Sequence, residues 1–336
     1  MNQETCNYEG CGKTGKTLAK PQTLLSTAKP ESYIPESGLC DAIKVALTLG
    51  QPLLVTGEPG TGKTQLASSI AYEFQLPDPI VFHTKTSSTA GDLLYHYDAL
   101  KRFNDAQIEK KIRPVEHYVS LRGLGIAILL STEYSDQDKA LLPAAYQQYR
   151  NSRSVVLIDE IDKAPRDFPN DILNEVEKLE FTIHEIPKTI TAETGNTPII
   201  ILTSNSEKYL PDAFLRRCVF YHINFPDEIR LKRIIEQRFN QSSIHPGFSE
   251  EETGAAIKHF ESIRLLPLKK KPATAELLAW MTMLKAMNID IIKPNMELKK
   301  TYGVLAKNAE DFGRMVKLLR GIPKKSDLNI PLKRGV

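Results

Sequence analysis

Cysteine is scarce, four residues in a chain of 336, and so few in so long a chain do not make a disulfide framework. Cys6 and Cys11 offer zinc two ligands with no neighbouring pair to complete a tetrahedron, so free thiols are expected. An apolar leader is lacking as well: the stretch Met1–Cys6 is polar. Long hydrophobic runs are missing too, since one such as Gly123–Leu130 is too short to cross a bilayer. No membrane span and a cytoplasmic location are therefore expected. Charge of one sign is not in excess either. A net charge of +3 is too small to imply nucleic acid, and the clusters Lys269–Lys271 and Lys324-Lys325 read as solvated loop ends. What remains, with 41% apolar residues, is an ordinary globular chain long enough for about two domains.

The most informative stretch is Gly57-Glu58-Pro59-Gly60-Thr61-Gly62-Lys63-Thr64-Gln65. It follows an apolar strand, Pro52–Thr56, and opens a helix, Gln65–Phe74. Gly57, Gly60 and Gly62 allow backbone geometries that bulkier residues resist, so successive N–H groups can turn toward phosphate oxygens. Lys63 supplies a point charge for the β and γ phosphates, Thr64 a hydroxyl for Mg²⁺, and the helix its N-terminal dipole. The nine residues from Gly57 to Gln65 are the candidate nucleotide-binding segment. Gly10–Lys16 looks like a second phosphate loop but has no strand before it and no complete motif, so chance composition accounts for it.

Five apolar, β-branched-rich runs, Pro52–Thr56, Pro79–Thr84, Ser154–Asp159, Pro198–Thr203 and Val219–Asn224, have the near-continuous hydrophobicity of strands covered on both faces. With helical segments between them, the class is α/β with a five-stranded parallel sheet. The second and third runs are separated by about 70 residues, too many for one crossover helix, so an insertion is expected. From Pro226 the pattern changes. Leu231, Ile234 and Ile235, and then Phe312, Met315, Val316 and Leu319, recur at helical spacing, and Trp280 lies in a third such segment as a core residue. The expected organisation is a flexible tail over 1–30, an α/β nucleotide-binding domain over 31–225, and an all-α lid domain with a C-terminal tail over 226–336.

Two acids end the third run. Asp159 at the carboxyl edge of the sheet would hold Mg²⁺ through its water shell, and Glu160 would orient or deprotonate the attacking water. The plain alternative is an exposed acidic turn. Asn205, ending the fourth run, can hydrogen-bond the γ-phosphate or the lytic water, although strands commonly end in such residues for turn reasons. Arg216 and Arg217 precede the fifth run. Arginine at a helix C-terminus is favoured by the dipole alone, but an arginine reaching into a neighbour's site would stabilise phosphoryl charge.

In this order the motifs resemble those of the AAA+ ATPases, and within them the MoxR-like, helix-2-insert branch. Gly57–Thr64 matches Walker A, Asp159-Glu160 Walker B, Asn205 sensor 1 and Arg216-Arg217 the arginine finger, with Arg217 the better aligned. The wording of Tyr33–Leu39, Gly50–Thr64, Asp159–Arg166 and Leu215–Phe220 supports the likeness, which covers roughly 31–320. The resemblance implies an AAA+ P-loop core with a helical lid, a helix-2 insertion including Thr86–Asn104, and a hairpin beginning in Glu180–Pro187. It further implies MgATP hydrolysis in a homo-oligomeric, hexameric ring that remodels a protein partner, through a von Willebrand A-domain adaptor, in regulation or defence. Lys271–Leu278 departs from the family in lacking a sensor-2 arginine. Two other readings are a nucleic-acid-directed ATPase and a nucleotide-dependent scaffold with slow hydrolysis. A GTPase is disfavoured because the guanine-recognition pattern is absent; Lys324–Asp327 has the wrong first residue.

Overall fold

The computed structural model describes residues 29–107, 113–205, 210–240 and 247–320. Nearly all of the expected N-terminal tail, with Cys6, Cys11 and Gly10–Lys16, lies outside the described residues, as do Lys324 and Lys325. Two compact units divide the chain. Of the described residues, one unit takes those from Tyr33 to Asn224; the other takes those from Phe225 onward together with the few before Tyr33.

The first unit holds the strands β1 (Leu53–Gly57), β2 (Ile80–His83), β3 (Tyr95–Tyr97), β4 (Val119–Leu121), β5 (Val155–Asp159), β6 (Glu180–Ile183), β7 (Lys188–Thr191), β8 (Ile199–Ser204) and β9 (Val219–Ile223). Its main helices are α1 (Ser37–Leu49), α2 (Lys63–Glu73), α3 (Ala90–Leu94), α4 (Ala99–Gln107) and α5 (Gly123–Leu130). The five apolar runs become one parallel sheet in the order β2-β5-β8-β1-β9. Every residue of β1, β5 and β8 is buried, which is why these central strands read as unbroken apolar runs. Successive side chains still take opposite faces. Leu54, Val156, Ile158, Ile200 and Leu202 join one core with α5, while Leu53, Val55, Leu157 and Ile201 join another with Leu39, Leu66 and Ile70 of α1 and α2. The register Leu54↔Leu202 and Leu157↔Ile201 brings the carboxyl ends of β1, β5 and β8 level. Gly57, Asp159 and Thr203 thereby share one edge of the sheet.

The long segment between β2 and β5 carries an antiparallel pair, β3 with β4, interrupted by α4 and followed by α5. All eight residues of α5 are buried. It lies so close to α3 that a Cβ at Gly125 would come within 2.0 Å of the Leu94 carbonyl oxygen. The alternating run after Glu180 forms the hairpin β6–β7.

In the second unit the helices Glu228–Asn240, Glu250–Leu265, Thr274–Ala286 and Ala309–Arg320 surround a core that includes Leu231, Ile235, Phe260, Trp280 and Met315. No strand occurs among its described residues. Trp280 is fully buried and its indole N–H donates to Thr301 Oγ1 at 2.7 Å, a core role. The carboxylate of Asp311 accepts from the backbone N–H groups of Lys269 and Lys270, which ties down the start of the three-lysine run. Among the described residues no helix is long and apolar enough to cross a membrane, and Cys40 and Cys218 carry free thiols.

Candidate functional site

Gly57, Gly60 and Gly62 all have positive φ, at 150°, 79° and 90°. A Cβ at Gly57 would meet the Ile223 carbonyl oxygen at 2.7 Å, and one at Gly62 the ring of Tyr33 at 3.1 Å. Gly57 therefore excludes a larger residue by space as well as by conformation, while Gly60 and Gly62 disfavour one by conformation. Glu58, Pro59, Gly60, Thr64 and Gln65 are exposed, while Thr61 is buried and donates to the Glu58 carbonyl at 2.8 Å. The side chain of Lys63 folds back over the loop, donating to the carbonyls of Gly57 and Glu58 at 2.7 and 3.0 Å. Burial pulls its pKa below the ordinary lysine value, against the opposing pull of Asp159, Asp162, Glu160 and Glu58. A buried ammonium resting on carbonyl dipoles among acids can exchange those dipoles for a phosphate at little reorganisation.

Asp159 is buried at the end of β5 and accepts a hydrogen bond from Thr203 Oγ1 at 2.6 Å. Thr64 Oγ1 lies 3.3 Å from Asp159 Oδ1 and 3.5 Å from Oδ2. One hydroxyl and one carboxylate, both hard oxygen donors and one of them exposed, fit a Mg²⁺ ion that keeps most of its water. His83 Nδ1, at the end of β2, is 3.4 Å from Asp159 Oδ2.

Glu160 leaves the strand with φ 56° and ψ 51°, the left-handed region. For a residue with a Cβ this costs about 1–2 kcal/mol and persists only when neighbours dictate it. They do so here. Its backbone N–H donates to Thr203 Oγ1 at 2.9 Å, Asn205 Nδ2 donates to its Oε1 at 3.1 Å, and Lys163 forms an ion pair with its Oε2. Asn205 is itself held, through a 3.4 Å bond from its backbone N–H to the buried Asp162.

Lys63, Thr64, Asp159, Glu160 and Asn205 thus converge on one edge of the sheet. Arg216 and Arg217 do not join them. Both are exposed, and Arg217 donates to Glu177 Oε2 at 2.8 Å and to the Ala213 carbonyl at 2.9 Å. Sequence reasoning missed Thr203, Lys163 and His83. Thr203 was visible only as a strand end, and the clue to its role is the register that sets β8 beside β5. Lys163 stands three residues after Glu160 in a short 3₁₀ turn, a spacing that gains meaning once the turn is known.

A model of the ATPase family associated with various cellular activities (AAA) matches residues 53–227, more than half of the chain. No curated protein matches the sequence. Among solved structures, two variants of RuvB from Thermotoga maritima are each 18% identical to it. One covers 85% of this chain and 74% of its own with a TM-score of 0.48; the other covers 82% and 69% with 0.44. A protein of Cytophaga hutchinsonii, provisionally described as an ATPase, is 15% identical over 87% of this chain and 91% of its own, with a TM-score of 0.37.

Proposed function

The chain belongs to the AAA family of ATPases, with a P-loop core on a five-stranded parallel sheet and a helical C-terminal region, and on that premise we propose that it is a ring-forming, MoxR-like member that hydrolyses MgATP to remodel a protein partner. The loop from Gly57 to Gln65 receives the triphosphate, with Lys63 transferring its ammonium from the loop carbonyls to the β and γ phosphates. Thr64 and Asp159 hold Mg²⁺, which when bound draws charge from the phosphate oxygens. Asn205 orients the lytic water or the γ-phosphate through its carboxamide. Glu160 takes the proton from the water as its oxygen attacks phosphorus, and ADP departs with the broken β–γ bond.

The observation that carries this reading is the seat of Glu160. A carboxylate on a left-handed backbone, bonded at both oxygens and at its own N–H, has been given one orientation at a cost in local strain. A turn that merely closed a strand would have no use for it. The arginine assignment rests on the motif resemblance: Arg217 is exposed and apart from its own cluster, and would have to leave Glu177 to reach a neighbouring copy's phosphates in the homo-oligomeric, hexameric ring that the resemblance implies. The adaptor with a von Willebrand A domain and the MoxR-like branch rest on the motif wording and on the elements between β2 and β5.

Glu160→Gln tests the proposal. The variant is expected to bind MgATP at parent affinity and turn over at least about a hundredfold more slowly, the usual contribution of a general base. Stalled with ATP, it should retain its protein target on affinity capture. Turnover at the parent rate would remove Glu160 from the chemistry. Tight ATP-dependent assembly with negligible parent turnover would favour the scaffold.

A further inference from the structure

Within the α/β unit a second cleft, of about 500 Å³, lies away from the glycine loop. Ligand-binding clefts commonly measure about 300–1,000 Å³. Its lining includes four consecutive residues of β2, Ile80, Val81, Phe82 and His83, and four more from the end of β4 into α5, Ser120, Leu121, Arg122 and Gly123. Successive side chains of a strand point to opposite faces, so only the edge of β2 can present all four residues to one space. That edge is open: β2 is the outermost strand of the sheet and pairs with β5 alone. The Thr84 N–H donates to the Asp159 carbonyl on the β5 side. By alternation the backbone groups of Val81 and His83 point the other way, into the cleft.

The cleft is also cationic. Lys85 and Arg122 line it, both exposed, and neither side chain meets an acid among the described residues. The one carboxylate in the lining, Asp92, already accepts from the N–H and hydroxyl of Thr89 as part of a helix cap. We propose that this cleft binds an acidic, extended peptide segment, which adds its backbone to the edge of β2 and sets carboxylates against Lys85 and Arg122. The proposal rests on the reading of the chain as acting on a protein partner, and names the chemistry by which that partner is held. Strand addition draws affinity from main-chain hydrogen bonds and specificity from the side-chain pockets. A nucleic acid is the poorer match, because two cations amid Val81, Phe82 and Ile126 do not make the basic stripe that tracks a phosphate backbone. The cleft is one strand from the nucleotide site, with His83 and Thr84 both touching Asp159.

Fluorescence anisotropy with a labelled ten-residue peptide of alternating Glu and Val tests the proposal on the full chain. Saturable binding that falls with salt is expected. Lys85→Gln and Arg122→Gln should each weaken it roughly tenfold, the loss of one charge-assisted contact, while leaving basal ATP turnover unchanged. The same peptide with alternate amides N-methylated should bind at least about tenfold more weakly, since it can no longer pair as a strand. Equal binding of a Gln-for-Glu peptide, or parent affinity in the Lys85→Gln/Arg122→Gln double variant, would overturn the assignment. So would an oligothymidylate that displaces the peptide and depends on the same two residues. Binding here needs no turnover, so the cleft can fail while Glu160→Gln still captures a partner, and the converse also reads cleanly.

Discussion

Replacing Thr203 with Val probes the candidate site through a residue that touches no phosphate in any reading of it. The side chain is fully buried in β8, and its one hydroxyl both donates to Asp159 Oδ1 at 2.6 Å and accepts from the Glu160 N–H at 2.9 Å. Valine fills nearly the same space but answers neither group. A buried polar group left without its partner costs about 1–3 kcal/mol. Two are affected, yet Asp159 keeps Thr64 nearby and Glu160 is half-buried and can recruit water. The expected loss is therefore about 2–4 kcal/mol, a large part of a typical stability of about 5–15 kcal/mol. Turnover should fall about a hundredfold, as it does when a catalytic group shifts by about 1 Å. Thr203→Ser keeps the hydroxyl and sacrifices one methyl, about 1 kcal/mol, with most of the turnover retained. Denaturant unfolding followed by circular dichroism gives the first number, and hydrogen exchange at the Glu160 amide reports the broken bond directly. If Thr203→Val lies within about 0.5 kcal/mol of the parent, the scale of change at an unremarkable surface position, and exchanges at the parent rate, the hydroxyl does not organise the two acids.

Lys63→Ala should weaken ATP binding and abolish hydrolysis with the fold intact; unchanged affinity by calorimetry would remove the phosphate-loop assignment. Arg217→Ala should bind ATP but lose turnover, and mixing it with Lys63→Ala subunits should restore some activity where an intact pocket meets an intact arginine; a variant as fast as the parent would count against a shared site. Burial depresses the His259 pKa to about 4 from 6.5, so the unfolded chain binds the proton more readily than the folded one. Stability of the helical unit should accordingly be full above about pH 6.5 and fall by up to about 3 kcal/mol as the pH drops to about 4. Trp280, whose ring stacks 5.7 Å from His259, reports this by fluorescence, and a loss of the same size in His259→Gln would exonerate the histidine.

Much of the fold could be read from the chain because its central strands are buried on both faces and announce themselves as apolar runs. The second unit was equally open, since Met315, Val316 and Leu319 line one side of a helix and are buried where that spacing puts them. The β3–β4 pair was not readable. Each strand has three residues, too short for any period to declare itself, and their partnership spans more than twenty positions of intervening chain. The run Gly123–Leu130 was ambiguous for another reason. It is apolar all round, so it shows no face, and only its burial between the sheet and α3 identifies it as an internal helix.

The candidate site divides along the same line. Lys63, Thr64, Asp159 and Glu160 sit in contiguous motifs whose backbone geometry follows from glycine or from a strand's end, and these were nameable one by one. What the residue string does not carry is the left-handed backbone at Glu160, because no glycine or asparagine marks it. Glutamate is a poor choice for that conformation on local grounds, so its presence there has to be explained by longer-range bonds. Thr203 comes from a strand 43 residues on, Asn205 from the turn after it, and Lys163 from the turn that the distorted backbone itself creates. A local rule broken at the acid proposed as the general base, with three separate elements holding it in that conformation, is where strain and function are expected to coincide. It also explains why Asp159 and Glu160, adjacent in sequence, need not be interchangeable. The pleat turns Asp159 toward Thr64 and the buried edge of the sheet, whereas the reversed φ of the next residue delivers the second carboxylate to Asn205 and Lys163 instead.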